Sequence, residues 1–506
     1  MIALYGVGQI RDAEEDAFRQ VPDGTLMQRA AHALAIACAR LLTDSRGGVV
    51  GTRTVLLVGS GNNGGDALWA GAQLAARGSR VDAVCLSDRV HPDGAAALRR
   101  AGGRLHRWQD GDVEIIGLVR AADLVVDGIL GIGGTGGLRP DADALVAHLD
   151  ESDAVVVSVD VPSGVDADTG GVHGSAVAAD VTITFGAAKP GLVVEPGSLH
   201  SGAVQLVDIG LDLPADPVAL VLEAGDVEEW VRPPAEDTYK YRRGVAGVAA
   251  GSRLYPGAAL LVTAAARHAN VGMTRYLDRG DGNAAVVLSH FPDVVADGAP
   301  PADQARATAW GCGPGFPGDA QDVLAVAAVL EAPVPVVLDA GALTALAESD
   351  ELRSSIRSRA ERGLVTVLTP HQGEFERLAP GLLASSTGRV DAARRASADL
   401  KAVVVLKGPG TVIAAPHGDV YVDVEGTADL GVAGSGDVLT GIIAAVLASA
   451  WADDRRDPES LTEAVAAAVW LHGRAGQLAG GDGPVTALDI ADSVAAAIGS
   501  VRREAP

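Results

Sequence analysis

Asp437 has the surroundings that point most directly to chemistry. It lies in Gly434-Ser-Gly-Asp-Val-Leu-Thr-Gly441, which opens the strongly apolar segment 438–450, predicted to be a helix. Backbone N–H groups of Gly434–Gly436 at the helix start would form a site for the charge that develops on a phosphate. The same position favours the carboxylate form of Asp437, which could take a proton from a hydroxyl as it attacks phosphorus. The alternative is a capping aspartate worth about 1 kcal/mol of helix stability, but the flanking glycines favour a catalytic base.

Three further loops in this half of the chain carry polar or glycine-rich motifs. Lys407-Gly-Pro-Gly-Thr411 follows the predicted strand Ala402–Leu406, and a lysine with a glycine turn suits a nucleotide phosphate or ribose. An ordinary turn with a solvated lysine is the alternative. In Thr369-Pro-His-Gln-Gly-Glu374, His371 is either a substrate contact or a buried, hydrogen-bonded histidine. Gly311-Cys-Gly-Pro-Gly315 is a weaker signal, and no Walker lysine motif supports a P-loop site.

The first half contains three loops that also follow predicted strands. They are Gly59-Ser-Gly-Asn-Asn-Gly-Gly-Asp66, Asp127-Gly-Ile-Leu-Gly-Ile-Gly-Gly-Thr-Gly-Gly137 and Ser158-Val-Asp-Val-Pro-Ser-Gly-Val-Asp166. Strand ends of a parallel sheet meet at one edge, so the three loops would build one cleft. Taken alone, Asp127 would be interpreted as an aspartate that caps a helix or stabilises a turn. The convergence of the three loops favours a functional site.

The elements that must position these loops alternate between strands and helices, which predicts an α/β fold in each half. Prolines interrupt that alternation between residues 212 and 235, so we predict a boundary near 212–225 and domains of 1–215 and 225–506. The predicted strands of the first half are Thr54–Val58, Arg80–Leu86, Leu124–Val126, Ala154–Val159 and Val181–Phe185. Those of the second half are Val245–Ala250, Ala284–Leu288, Pro335–Leu338, Val365–Leu368 and Ala402–Leu406.

Composition excludes several classes of function. The 506 residues carry 40 Lys+Arg against 65 Asp+Glu, a net charge of −25, which argues against nonspecific nucleic-acid or anionic-membrane binding. Three cysteines, Cys38, Cys85 and Cys312, fit neither a zinc pattern nor a disulfide framework. No signal peptide or membrane-spanning run is evident, so we expect a cytoplasmic protein.

The motifs of the first half, with Leu26-Met-Gln-Arg-Ala-Ala31, resemble the NAD(P)H-hydrate epimerase domain over about residues 5–210. The resemblance implies a Rossmann-like, three-layer domain. It also implies that Asn63, Asp127 and Ser163 hold a potassium ion, since oxygen ligands suit a hard cation, and that Asp127 serves the acid–base step that inverts C6 of the hydrated nicotinamide ring. The residues implied to contact the hydrated dinucleotide are Asn62, Asn63, Gly64, Gly65, Asp66, Gly131, Ile132, Gly133, Gly134, Thr135, Gly136, Gly137 and Asp160.

Two basic residues are further candidates near this cleft. The family often carries a basic residue after its second strand, and Arg89 is the nearest counterpart here. Lys189, one of four lysines in the chain, lies beyond a strand end and either faces the cleft or is a solvated loop lysine.

The motifs of the second half resemble the ribokinase-like superfamily, whose Gly-x-Gly-Asp helix start carries the catalytic base. With Leu338-Asp-Ala-Gly-Ala-Leu343 and Pro256-Gly-Ala-Ala259, they resemble more narrowly the ADP/ATP-dependent NAD(P)H-hydrate dehydratases over roughly 236–500. The resemblance implies a ribokinase-like α/β domain with magnesium to neutralise nucleotide charge. Residues implied to contact the hydrate are Ala258, Gly313, His371 and Asp437. Those implied to hold the adenine nucleotide are Lys407, Gly408, Pro409, Gly410, Thr411 and Gly436.

Together the two resemblances imply a bifunctional nicotinamide-nucleotide repair enzyme. Its substrates would be hydrated NADH or NADPH and ADP or ATP, and family resemblance implies a homo-oligomer, with a tetramer as one form. The first domain would interconvert the R and S epimers, and the second would phosphorylate the C6 hydroxyl of the S form and eliminate phosphate. Two alternatives remain at this point: a ribokinase-type small-molecule kinase, and an N-terminal module that binds a nucleotide and only regulates its neighbour.

Overall fold

The computed structural model describes residues 1–134, 136–304, 306–481 and 483–504. It divides into two compact units, one of Ala3–Val218 and the other of Met1–Ile2 with the chain from Ala219 onward. This division falls between the predicted domains 1–215 and 225–506, in the segment where prolines interrupt the pattern. Both units combine parallel strands with helices, so the predicted α/β class is confirmed.

In the described part of the chain, the sheet of the N-terminal unit has seven strands, and every neighbouring pair is parallel. Continuous Val, Leu and Ile runs form its central strands because a parallel sheet is buried on both faces. A short strand, Ile2–Leu4, precedes them in the chain. The spatial order is Arg104–Arg107, Arg80–Cys85, Arg53–Val58, Leu124–Gly128, Val155–Val159, Val181–Phe185 and Ala203–Val207.

Helices cover both faces of this sheet. In the strand Arg53–Val58, Leu56 joins a core that includes helix Asn62–Ala76, whereas the next residue, Leu57, joins a core that includes helix Val113–Arg120. Successive side chains of a strand point to opposite faces, so the unit has three layers. Its other α-helices are Val7–Phe18, Thr25–Arg46, Pro92–Arg100, Pro140–Val146 and Ser198–Ser201, and its 3-10 turns are Leu149–Glu151 and Pro190–Leu192.

The three loops predicted to build the first cleft start at neighbouring strand ends. Val58 pairs with Gly128, and Asp127 pairs with Ser158, all in parallel register. Since the carboxyl ends of parallel strands share an edge, the loops that follow Val58, Gly128 and Val159 lie side by side.

The sheet of the C-terminal unit has ten strands among the described residues from Ala219 onward. Thr411–Ala414 is antiparallel to both of its neighbours, and the other strand pairs described in this unit are parallel. The spatial order is Ala219–Val221, Val420–Asp423, Thr411–Ala414, Val403–Leu406, Thr366–Leu368, Val336–Leu338, Ala309–Cys312, Val245–Ala249, Met273–Leu277 and Val295–Asp297.

Helices also cover both faces of the second sheet. Val337 joins the core that contains helix Ser435–Ala452, and its neighbour Leu338 joins the core that contains helix Gly341–Glu348. The other α-helices of this unit are Ala224–Glu228, Pro256–His268, Asn283–His290, Ala320–Glu331, Asp350–Glu361, Gln372–Leu378, Leu382–Ser385, Arg389–Leu400, Pro458–Gly480 and Ala487–Glu504, with 3-10 turns at Pro301–Asp303 and Ala428–Leu430.

The helix Ser435–Ala452 is apolar on all sides. Its 18 residues are long and apolar enough to cross a membrane, but 72% of the segment is buried inside the protein. That burial is the pattern of a central core helix, which needs apolar residues all around its circumference.

One predicted strand is wrong. The run Ala284–Leu288 lies within the helix Asn283–His290, where Ala284 and Val287 are buried three residues apart. A short apolar run does not distinguish a strand from a buried helix, because both present continuous apolar residues. The strand in this part of the sheet is Met273–Leu277.

Candidate functional site

A cavity of about 300 Å³ lies over the edge where the three N-terminal loops meet. Apolar side chains from the first two helices of the unit, including Ile10 and Met27, line one part of it. The polar and charged residues that line it are Glu14, Asn62, Asn63, Asp66, His91, Asp160 and Lys189. The cavity therefore combines an apolar wall with several titratable groups, as a binding site for a small molecule does.

The first loop proves to be the start of the helix Asn62–Ala76. Gly64 in that first turn is required by packing, since a Cβ there would lie 2.3 Å from the carbonyl oxygen of Gly59. A Cβ on Gly131 would likewise lie 2.3 Å from Oδ1 of Asn63, so the second loop packs directly on the Asn63 side chain. These close approaches hold the two loops together beside the cavity.

The structure brings only part of the predicted contact set to the cavity wall. Asn62, Asn63, Asp66, Ile132 and Asp160 line it. Gly64 and Gly65 are in the helix turn but are not among the lining residues, and neither are Gly131, Gly133, Gly134, Gly136 and Gly137 of the second loop. Thr135 lies outside the described residues.

Lys189 is buried against the cavity, with a relative exposure of 1%. Its Nζ donates to Asp160 Oδ1 at 2.5 Å, to Thr184 Oγ1 at 2.7 Å and to the carbonyl oxygen of Phe185 at 3.0 Å. The alternative of a solvated loop lysine is therefore wrong. The lysine forms a buried ion pair with Asp160, a residue whose φ of +68° lies in the left-handed region that non-glycine residues rarely adopt. Such backbone conformations concentrate at functional sites.

Asp66 is a buried carboxyl group on the cavity wall. Among the described residues its Oδ1 has no hydrogen-bond partner. Burial, followed by the negative charges of Asp160 and Glu14, raises the pKa of Asp66 well above its ordinary value. Burial therefore favours the protonated form of Asp66, which lies beside a second aspartate that is paired with an ammonium group.

Asp127 lies behind the cavity and is fully buried. Its Oδ1 accepts from the Ser163 hydroxyl at 2.6 Å and from the Ile129 N–H at 3.2 Å. Its Oδ2 accepts from the Ser158 hydroxyl and from the Ser163 N–H, both at 2.9 Å. Burial raises the pKa of Asp127, and these hydrogen bonds oppose that effect. Asp127 does not line the cavity.

The residues predicted to hold potassium do lie together. Ser163 bonds to Asp127, and Asn63 Nδ2 donates to the carbonyl oxygens of Val159 at 2.5 Å and Leu130 at 3.1 Å. The donors are a carboxylate, a hydroxyl, two carbonyls and an amide whose oxygen and nitrogen can exchange places by rotation. Together they form an all-oxygen donor set, which fits a hard cation. No cationic side chain pairs with Asp127 among the described residues.

In the C-terminal unit, the helix Ser435–Ala452 begins as predicted, with Asp437 in its first turn. Gly434 has a φ of +90°, and no side chain caps the helix. The Ser435 N–H donates to the Val432 carbonyl at 3.2 Å. The prediction that the N–H groups of all three residues face an anion is therefore wrong for Ser435.

Burial controls the ionisation of Asp437. It raises the pKa of Asp437 to about 7, with a further increase from the Asp339 carboxylate and an opposing effect of Lys407. The sequence predicted that the helix start would favour the carboxylate form. Burial outweighs this effect, because the hydration free energy that a buried carboxylate loses exceeds the electrostatic stabilisation that a helix N-terminus provides. A pKa near neutrality suits a group that must accept a proton.

Lys407 joins the start of this helix to a buried carboxylate. Its Nζ donates to Asp339 Oδ1 at 2.9 Å and lies 4.0 Å from Glu374 Oε2. The Thr440 hydroxyl donates to Asp339 Oδ2 at 2.9 Å. A Cβ on Gly436 would lie 3.2 Å from Lys407 Nζ. Burial alone would lower the pKa of Lys407, but the neighbouring carboxylates raise it. The alternative of an ordinary solvated lysine is therefore wrong.

The remainder of the predicted nucleotide loop is a compact turn beyond Lys407. The Gly408 N–H donates to Thr411 Oγ1 at 3.3 Å, and that hydroxyl donates back to the Gly408 carbonyl at 2.8 Å. Pro409 and Gly410 complete the turn, with Gly410 at a φ of +68°. The turn therefore has a defined shape of its own.

His371 caps the helix Gln372–Leu378. Its Nδ1 accepts from the N–H groups of Gly373 at 3.0 Å and Glu374 at 3.3 Å, and its side chain is 57% exposed. The expectation of a buried histidine is therefore wrong. An exposed imidazole at the carboxyl edge of the sheet remains a candidate substrate contact.

Ala258 and Gly313 lie on adjoining loops. A Cβ on Gly315 would lie 2.7 Å from the Ala258 Cβ, so the first turn of helix Pro256–His268 packs on the glycine loop. Gly313 has a φ of +116°, and a Cβ there would lie 2.1 Å from the carbonyl oxygen of Asp339. Only glycine allows this approach, which joins the loop to the residue that pairs with Lys407.

The sequence motifs gave no role to four residues at or beside these sites: Asp339, Glu374, Glu14 and His91. They left the role of Lys189 undecided. Asp339 directly follows the strand Val336–Leu338, so its position at the sheet edge could have revealed it. Glu14 and His91 belong to no motif, and only the folded chain brings them to the cavity.

The folds and sites define a two-domain α/β enzyme with a separate cluster of titratable groups in each unit. A family model described as NAD(P)H-hydrate dehydratase matches residues 246–494, and one described as YjeF-related protein N-terminus matches residues 23–191. The bifunctional NAD(P)H-hydrate repair enzyme of Mycobacterium leprae is 44% identical over 487 residues, covering 94% of each chain. That of Mycobacterium tuberculosis strain H37Rv is 46% identical over 454 residues, covering 88% of this chain and 89% of the relative. This chain belongs to the family of bifunctional NAD(P)H-hydrate repair enzymes, which confirms the resemblance found in the motifs.

Solved structures similar to this chain include the ADP/ATP-dependent NAD(P)H-hydrate dehydratase from Bacillus subtilis co-crystallised with ATP/Mg²⁺. It is 28% identical, with a TM-score of 0.45, and the match covers 56% of this chain and 99% of that chain. A ribokinase-like superfamily protein from Enterococcus faecalis is 23% identical, with a TM-score of 0.45, and the match covers 57% and 99% of the two chains.

Proposed function

We propose that this chain restores hydrated NADH and NADPH through two activities. The N-terminal unit interconverts the R and S epimers at C6, and the C-terminal unit dehydrates the S form at the expense of ADP or ATP. Membership of the family supports the pair of activities. The observation that carries the proposal is the cluster of Asp437, Lys407 and Asp339 at an uncapped helix start.

Asp437 is the base in the proposed dehydration. It accepts the proton of the C6 hydroxyl as that oxygen attacks the terminal phosphorus of the nucleotide. Phosphorylation is chemically useful because hydroxide is a poor leaving group, whereas phosphate departs readily. Lys407 contributes positive charge beside the phosphoryl group, and the uncapped helix start contributes further stabilisation.

The remaining predicted residues shape the two halves of the dehydratase site. Ala258, Gly313 and His371 contact the hydrate in this proposal, while Gly408–Thr411 and Gly436 hold the nucleotide. Magnesium, when bound, would neutralise phosphate charge. Asp339 and Glu374 supply carboxylate oxygens beside the site, of the kind that such an ion prefers.

In the N-terminal unit the hydrated nicotinamide occupies the cavity next to Asn62, Asn63, Asp66 and Asp160. Potassium, when bound, would be held by Asn63, Asp127 and Ser163, where it would balance the buried charge of Asp127. The predicted acid–base role of Asp127 stays a prediction, since hydrogen bonds already occupy both of its oxygens.

The partners in this proposal are small molecules, and we infer assembly into a homo-oligomer, with a tetramer as one form, from the family resemblance alone. We place the protein in the cytoplasm. The cysteines Cys38, Cys85 and Cys312 are free and buried, in keeping with a reducing compartment.

The experiment that tests the proposal is incubation with mixed hydrate epimers and either ADP or ATP. Absorbance at the dihydronicotinamide band should return in full, because R is converted to S as S is consumed. A halt when the S form is exhausted would reject the epimerase. A stable phosphorylated product without recovery of absorbance would instead support a ribokinase-type kinase.

A further inference from the structure

We propose that Asp66 and Asp160 are the general acid and the general base of epimerisation, and that Lys189 positions Asp160. This inference rests on the proposed epimerase function and goes further by naming the groups that move protons. Both carboxyl groups line the cavity. Asp66 lies near the start of the helix Asn62–Ala76, and Asp160 directly follows the strand Val155–Val159.

Asp66 has the environment of a proton donor. Its side chain is about nine-tenths buried, with 7% relative exposure, and its Oδ1 has no partner among the described residues. A buried carboxyl oxygen without a partner is costly unless a ligand supplies one. The C6 hydroxyl of the hydrate is a ligand of the required kind, since it can accept a hydrogen bond from a protonated acid.

Asp160 has the opposite environment. The Lys189 ammonium donates to Oδ1, and the Thr184 hydroxyl and Phe185 N–H donate to the same oxygen at 3.2 Å. No hydrogen bond to Oδ2 is present among the described contacts of Asp160. Three donors therefore hold one oxygen in place, while the second oxygen is available to a water molecule. Two carboxyl groups with opposed environments define an acid and a base.

The proposed reaction balances without a further reactant. Asp66 gives its proton to the C6 hydroxyl, the C6–O bond breaks, and the lone pair of the ring nitrogen forms an N=C6 double bond as water leaves. A second water attacks the opposite face of C6, and its proton passes to Asp160. The electron pair then returns to the ring nitrogen, and the new C6–O bond has inverted configuration. Exchange with solvent moves the proton from Asp160 back to Asp66.

The charged groups around Asp66 determine how the reaction depends on pH. The same cavity is lined by Asp160 at a strand end, Glu14 on the first helix, and Lys189 and His91 on two loops. Epimerisation requires the protonated form of Asp66 and therefore falls as pH rises through its raised pKa.

The decisive experiment measures epimerisation and dehydration separately on the full chain. Asp66→Asn should lower kcat/KM for R-to-S conversion by about 10²- to 10⁴-fold, the range for loss of a general acid. Its residual rate should no longer fall at high pH, and dehydration of pure S hydrate should stay within twofold. Asp82→Asn is the matched control, because Asp82 is a buried carboxyl in the same sheet that pairs with His106 outside the cavity. It should retain epimerisation.

Lys189→Met should lower kcat more than it raises KM, because Lys189 acts on Asp160 and not on the substrate. The pH limb assigned to Asp66 should remain in this variant. A change in KM alone would show that Lys189 only shapes the cavity and would overturn its positioning role.

A second measurement does not depend on any variant. In water enriched with oxygen-18, each inversion by the wild-type protein should place one labelled oxygen at C6, above the enzyme-free rate. Retention of the original oxygen would overturn the proposal. Wild-type protein that does not interconvert the epimers would reject the epimerase itself. If the wild-type protein interconverts the epimers and folded Asp66→Asn does so equally well, the acid–base assignment is rejected while the epimerase function stands. The same holds if only Glu14→Gln loses the activity.

Discussion

Replacing Asp437 by asparagine should change activity and stability in opposite directions. Loss of the base should lower kcat for dehydration by about 10²- to 10⁴-fold, while binding of the S hydrate persists. The same substitution removes a carboxylate that burial holds out of water, so the free energy of unfolding should increase at neutral and alkaline pH.

The size of the stability change follows from the pKa of Asp437. The gap between about 7 in the folded protein and the ordinary value of 3.8 corresponds to about 4 kcal/mol at most, because the side chain keeps some contact with solvent. The unfolded chain loses this proton at a lower pH than the folded chain does. The ionised carboxylate therefore destabilises the fold progressively between about pH 4 and pH 7, and the advantage of Asp437→Asn should vanish below about pH 4.

Denaturant titrations at pH 4 and pH 8, combined with the dihydronicotinamide absorbance assay on S hydrate, measure both quantities. Asp457→Ala is a matched control, since Asp457 caps the helix Pro458–Gly480 by accepting the Ser460 N–H at 2.8 Å. That variant should lose about 1 kcal/mol of stability. The reasoning would be refuted if Asp437→Asn lost stability as Asp457→Ala does, or if it kept near-normal dehydration. Asp437 would then be a structural residue.

Four other outcomes test the two sites. Asp127→Ala should abolish R-to-S exchange and spare dehydration of S hydrate, measured by chiral separation and absorbance; equal loss of both activities would contradict separate sites. Replacement of potassium by a bulky organic cation should weaken epimerisation only, and an unchanged rate would exclude a potassium requirement. Asp339→Asn should move the acidic limb of the dehydration pH profile to lower pH, because the negative charge of Asp339 raises the pKa of Asp437. Lys407→Met should move that limb to higher pH, whatever its effect on nucleotide binding, and shifts in the same direction would disprove the assigned couplings.

Features that depend on local sequence could be predicted. The start of the helix Ser435–Ala452 is marked by glycines followed by an apolar run, and the strand Val181–Phe185 is marked by β-branched residues, with bounds that agree with the prediction. Neighbouring strand ends also follow from topology alone, because a parallel sheet places all its carboxyl ends at one edge.

Features that depend on burial could not be predicted. The local sequence Ala-Ala-Lys-Pro-Gly does not show that Lys189 is enclosed by Asp160, Thr184 and Phe185. Asp160 is distant in sequence, and Thr184 and Phe185 reach the lysine only because the chain folds back after its strand. The ionisation of Asp437 was predicted in the wrong direction for the same reason. The helix start is visible in the sequence, whereas the loss of water around the carboxylate depends on packing across the whole unit.

The assignment of Met1–Ile2 to the C-terminal unit limits how this chain can be cut. The backbone ammonium group of Met1 lies 2.7 Å from Asp226 Oδ2 and 3.1 Å from Glu223 Oε2, and both carboxylates belong to that unit. A single cleavage between Val218 and Ala219 would therefore carry these two residues away with the wrong fragment. Separate expression of the two halves would therefore deprive the C-terminal unit of the contacts that Met1–Ile2 make with it.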